Sequence, residues 1–102
     1  MSRKLERMEE RIRKIKQQLT EIGPMRPGTL TRQYRIPKEK KRPFYQLSYT
    51  HHMRSRTEYV RPENLNIVRQ ETANYKKFRK LIDQWIELAL ETSRLRIKSE
   101  KK

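Results

Sequence analysis

The residues with the clearest chemical potential are bases set among aromatic rings: Arg26, Arg32, Tyr34, Arg35, Lys38, Lys40, Lys41, Arg42, Phe44 and Tyr45, followed by Arg54 and Arg56. Lysine and arginine neutralise phosphates and release their counterions, while aromatic rings stack on unpaired bases. Over residues 23–62 the chain has 10 bases and 2 acids, a local charge of +8. Arg69, Lys76, Lys77 and Lys80 extend the basic set further along the chain. These are the expected nucleic-acid contacts. The alternative for Tyr45 and Tyr49 is a place in the core, which their alternation with polar residues favours.

His51-His52 invites a metal or nuclease reading. Adjacent side chains on a strand point to opposite sides, the chain has no cysteine, and Glu58 is the nearest acid. No catalytic set or metal ligand set is expected, nor any cofactor, and the protein is expected not to be an enzyme.

Composition narrows the classes that could hold these residues. The 102 residues include 27 Lys or Arg and 12 Asp or Glu, for a net charge of +15 and an isoelectric point near 10.6. Hydrophobic residues make up 32 %, against roughly 45–50 % in an ordinary globular domain. A large enzyme core and a membrane span are excluded, because no run of about 18 apolar residues occurs. No apolar leader opens the chain, so a cytoplasmic protein is expected, nucleoid-associated if it binds DNA. Polyanions are the expected partners of such a charge.

Four elements must position the bases. Residues 1–22 carry Leu5, Met8, Ile12, Ile15, Leu19 and Ile22 at steps of 3, 4, 3, 4 and 3, the narrow stripe of a coiled-coil-like helix. Ser2 is its expected N-cap and Gly23-Pro24 its stop. Residues 23–43 hold Pro24, Pro27, Pro37 and Pro43 and predict an extended basic arm. Residues 44–61 alternate through Tyr45, Leu47 and Tyr49 and predict a β-hairpin turning at residues 51–55. Residues 62–98 predict one long amphipathic helix starting at Pro62, its apolar side made of Val68, Tyr75, Phe78, Ile82, Trp85, Ile86, Ala89 and Ser93. A basic tail, 99–102, is expected to be disordered. The fold class is therefore mainly α with a small β-hairpin.

Charge along the long helix is divided. Residues 69–80 have 5 bases and 1 acid, whereas Asp83, Glu87 and Glu91 are unopposed over 83–91. The acidic half complements the first helix, so those two are expected to pack together. Leu5, Met8, Ile12, Ile15, Leu19 and Ile22, with Ile82, Trp85, Ile86 and Ala89, are the expected oligomer or partner contacts.

Four ordered blocks carry a resemblance: Pro27-Gly28-Thr29-Leu30 with Tyr34, Pro43-Phe44-Tyr45-Gln46-Leu47-Ser48-Tyr49, Tyr59-Val60-Arg61-Pro62, and Asn74-Tyr75-Lys76-Lys77-Phe78. Over about residues 25–95 the chain resembles a family of small uncharacterised bacterial and archaeal domains associated with mobile elements. Relatives have a cysteine knuckle where this chain has Arg35-Ile36-Pro37-Lys38-Glu39-Lys40-Lys41-Arg42, so the metal clip that the resemblance implies has no thiolates here. The family has no assigned activity to carry over.

Together these readings predict a non-enzymatic nucleic-acid-binding accessory subunit of a mobile-element (transposase-type) or other nucleoprotein complex. DNA is favoured by the resemblance, while the composition fits RNA equally. A homo-oligomer or a larger enzyme subunit is the expected protein partner, with no membrane involved. The competing classes are a coiled-coil adaptor or assembly protein and a small structural protein of an RNA-rich particle.

Overall fold

In the computed structural model, which describes residues 3–100, helix α1 (Arg3–Thr20) is followed by strands β1 (Thr29–Ile36), β2 (Lys41–His51) and β3 (Arg54–Val60). A 3-10 turn at Pro62–Asn64 leads into helix α2 (Leu65–Glu100). The strands form one antiparallel sheet in the order β1-β2-β3. The fold is thus mainly α with a small meander of hairpins. Ser2, the expected cap, lies outside the described residues, as do Lys101 and Lys102 of the expected tail. Ser99 and Glu100, expected in that tail, are the last residues of α2.

The chain divides into two compact units. The first comprises residues up to Ile22 together with those from Lys77 onward. Met8 and Ile15 from α1 are buried with Leu81 and Leu88 from α2, and Ile12, Leu19, Ile22, Trp85 and Leu95 pack around them. The heptad stripe of α1 therefore finds its partner within the chain. Its charges follow suit: Lys4 Nζ lies 3.3 Å from Glu91 and Arg96 lies 3.2 Å from Glu9. Lys16 Nζ sits 5.2 Å from the centroid of the Trp85 ring, a cation–π contact.

The apolar side of α2 differs from the predicted one. Leu81, Leu88 and Thr92 are buried, whereas Ile86 is 52 % exposed and Ser93 is exposed. The cause is two stripes on one helix. Leu81, Trp85, Leu88, Thr92 and Leu95 follow the 4, 3, 4, 3 steps that face a single neighbour, while Ile86, Leu90 and Ile97 lie on the far side of the helix, about 160° round its axis. A single averaged direction fell between the two. Thr92 is accommodated because its hydroxyl donates to the Ala89 carbonyl at 3.1 Å, leaving no buried donor unpaired.

The second unit is Gly23–Lys76. Leu47, fully buried, with Val60 and Val68 forms its core, and Leu30, Tyr45, Tyr49 and Leu65 pack on it. Of the 21 residues expected as an extended arm, 8 form strand β1 and the last 3 open β2. The prolines flank rather than interrupt β1: Pro24 and Pro27 precede it and Pro37 follows it. Pro43 sits in β2 opposite Tyr34, beyond the Tyr45–Val60 pair where β3 ends, an edge position that tolerates a missing N–H. Gly28 allows entry into the sheet. Its φ is +136°, and a Cβ there would meet Leu47 Cδ1 at 2.7 Å and the Ser48 carbonyl at 3.0 Å.

Candidate nucleic-acid interface

Register sorts the side chains of the sheet. Residues directly opposite share a face, so Leu30–Leu47–Glu58 and Arg32–Tyr45–Val60 form rows on the side where Val68 and Leu65 of α2 close the core. Tyr34–Pro43, Tyr49–Arg56 and His51–Arg54 belong to the same face. Thr29–Ser48–Thr57, Thr31–Gln46–Tyr59, Gln33–Phe44 and Thr50–Ser55 make up the other, open face, which Arg35 and Arg42 continue at the β1–β2 end.

The predicted bases do not gather at one place. Strand β2 is 11 residues long, and at about 3.4 Å per residue it separates its two turns by about 34 Å. Arg35, Lys38, Lys40 and Arg42 are exposed around the β1–β2 turn at one end. Lys41 opens β2 there, and its side chain lies outside the described residues. Arg54 and Arg56 are exposed at the opposite end, where Tyr49, His51, His52, Arg54 and Arg56 line a cleft of about 520 Å³. The hairpin turn is His52-Met53, with φ of 50° and 63°, the paired positive values of a type I′ turn, made here without the usual Asn-Gly.

Several bases are drawn into the fold. Arg26 pairs with Glu58, which also accepts a 3.3 Å hydrogen bond from the Tyr49 hydroxyl, and the Arg26 guanidinium stands 5.7 Å from the Tyr49 ring. Its backbone N–H donates to the Glu71 carbonyl at 3.0 Å, and Asn74 donates to the Pro24 carbonyl at 2.8 Å. Arg26 therefore anchors the entry to β1 rather than offering a free charge. Arg32 lies over Tyr34 at 5.4 Å and Arg69 over Tyr45 at 5.8 Å, so Tyr34 and Tyr45 are half-buried platforms for their own arginines. Lys76 is exposed on α2 in the same unit, whereas Lys77 and Lys80 belong to the first unit.

Among the described residues no group of three or more His, Cys, Asp or Glu could hold a metal ion. The His51 and His52 rings lie 3.9 Å apart at 53°. Missing from the sequence reading is the open face itself. Gln46, Ser48 and Thr50 were visible there as the polar partners of an alternation, but Thr29, Thr31 and Gln33 could join them only once β1 was known to be a strand. No described helix is long and apolar enough to cross a membrane.

No curated protein and no solved structure gives a significant match to the chain. A family model does match, over residues 5–70, which run from α1 through the sheet into the first turns of α2. With that match over well over half its length, the chain belongs to the family described as a domain of unknown function, DUF6788.

Proposed function

We propose that this protein is a non-enzymatic nucleic-acid-binding accessory subunit of a mobile-element or similar nucleoprotein complex, working in the cytoplasm or on the nucleoid. The observation that carries the reading is the charge of the sheet unit: 12 bases against 4 acids over residues 23–76, with exposed bases at both ends of the sheet. Phosphate contacts would supply most of the affinity. DNA is the favoured polymer because the resemblance set out above is to mobile-element domains.

The test is a salt titration of full-length protein on duplex DNA, single strands and structured RNA. For about six phosphate contacts, the logarithmic slope should be roughly −4 to −6. Reversing Lys40, Lys41 and Arg42 to Glu, or Arg54 and Arg56 to Glu, should each weaken binding to all sequences alike and flatten the slope. Binding that ignores salt, or is unchanged in both variants, overturns the reading.

The adaptor reading is favoured by one observation in the helical unit. Ile86, Leu90 and Ile97 are 52 %, 52 % and 53 % exposed, forming an uncovered apolar stripe. Glu87 and Arg94 flank it seven residues apart, so a second copy laid antiparallel would set each Glu87 against the partner copy's arginine. That self-complementarity supports a homodimer through distal α2. Leu90→Glu should lower the particle mass in light scattering without loss of helix content; an unchanged mass removes the homodimer.

A further inference from the structure

The two faces of the sheet reverse the usual arrangement. Solvated faces of antiparallel sheets ordinarily carry charge, which also guards against association. Here the face towards α2 bears Arg32, Arg54, Arg56 and Glu58, whereas on the open face the charges, Arg35 and Arg42, stand at its β1–β2 end and the ten paired positions beyond them bear none. What they carry instead is hydroxyls and carboxamides. Ser48 and Thr57 lie 3.3 Å apart, Thr50 and Ser55 3.1 Å apart, and Gln33 and Gln46 stand on neighbouring strands.

Such groups match base edges. A glutamine can bond an adenine at N6 and N7 together, a serine or threonine bonds either kind of base, and an apolar contact suits the thymine methyl. Three strands spaced about 4.8 Å apart present a surface roughly 10 Å across, against a major groove about 12 Å wide. Exposed bases at both ends of the sheet would meet the flanking phosphates. A stacking platform for single strands needs open rings. Tyr59 is open at 57 % exposure, but Phe44 is half-buried with the Arg35 guanidinium 5.3 Å from its centroid. The major groove of A-form RNA is too narrow for side chains to read.

We infer that the open face of the sheet enters the major groove of duplex DNA and discriminates base pairs there. This inference rests on the nucleic-acid reading above and adds sequence recognition to it. The phosphate contacts fix register, and the uncharged positions of the open face specify.

The experiment selects bound duplexes from a random-sequence library with full-length protein, then measures affinity for the enriched site and for a scrambled one. Enrichment of a defined site is expected. Gln46→Ala and, separately, Gln33→Ala on the exposed outer strand should each reduce the preference at one or two positions by about 5- to 150-fold, the equivalent of one base contact. Affinity for scrambled DNA should hold within about twofold, with circular dichroism unchanged. Replacing purine N7 by carbon in the enriched site should cause a comparable loss, because N7 is exposed only in the major groove. Salt-dependent duplex binding without enrichment, or with no response to the N7 replacement, overturns the inference while leaving the phosphate reading standing. Tighter binding to single strands that is lost in Tyr59→Ala also overturns it, in favour of a stacking platform. No binding at low salt to any nucleic acid overturns both readings.

Discussion

The helical unit and the sheet unit are built from similarly basic sequence, with 15 bases and 8 acids in one and 12 bases and 4 acids in the other. They arrange it differently. In the helical unit, charges meet across the two helices, as Lys4 does with Glu91 and Arg96 with Glu9, around a core of four buried apolar residues. In the sheet unit, three buried apolar residues hold the core, and the long β2 strand sends bases to opposite ends while the middle of the open face carries none. A helix distributes side chains around its axis, so its charges find partners locally. A sheet separates them by face and by end, so an excess stays outward. The lesson is that net charge marks a polyanion binder only where the fold leaves that charge unpaired.

Core truncation should break this comparison most sharply. Leu47→Ala, at a fully buried position of the sheet unit, should cost about 3–5 kcal/mol and abolish nucleic-acid binding along with the sheet signal. Leu88→Ala, 7 % exposed in the helical unit, should cost about 2–4 kcal/mol while binding persists. Urea unfolding and binding measured on the same samples check both. Joint loss in both variants would mean that the two units are one cooperative structure.

Gly28→Ala should come next, at about 1–3 kcal/mol, since it forces a side chain into a positive-φ site against Leu47 and Ser48. Its effect should fall on the sheet unit alone, seen as loss of amide protection in β1 with α1 protected as before. The hairpin tip should move in the other direction. Replacing His52-Met53 by Asn-Gly relieves two non-glycine residues at positive φ and should stabilise the sheet unit by about 1–2 kcal/mol. If that variant is more stable in thermal melts but binds nucleic acid less well, the strained tip takes part in binding.

The smallest effect belongs to the ion pairs of the helical unit. Lys4→Ala should change stability by no more than about 1 kcal/mol, because side chains 65 % and 48 % exposed make a solvent-screened pair with Glu91. The difference should vanish at high salt in a thermal melt. A larger or salt-independent loss would mean that packing of the lysine stem, not charge, holds the helices.

Much of the helical architecture was legible in the residues. The 3, 4, 3, 4, 3 steps from Leu5 to Ile22 and the stretch without Gly or Pro after Pro62 are local signals, and both became helices. The acidic patch at Asp83, Glu87 and Glu91 correctly pointed to α1 as a neighbour, with Glu91 meeting Lys4. The β2–β3 hairpin was visible in the alternation through Tyr45, Leu47 and Tyr49. Strand β1 was not, because its arginines at 32 and 35 and the surrounding prolines masked the alternation of Leu30, Tyr34 and Ile36. Nor could the sequence tell which of two apolar stripes on α2 is buried, since they lie on nearly opposite sides of the helix and periodicity alone does not say which one a neighbour covers.

By itself, then, the sequence determined where helices and strands are favoured, how much charge the chain carries, and that no thiolate metal site can form. These follow from period, residue type and count, which are local or additive. Which bases are free was decided only by tertiary structure: Arg26 is tied to Glu58, and the β1–β2 turn is held about 34 Å from the His52-Met53 tip by the length of β2. The make-up of the open face was decided there as well. It is assembled from alternate residues of three strands, and pairing register, a contact between segments far apart in the chain, is what brings Thr31, Gln46 and Tyr59 into one row.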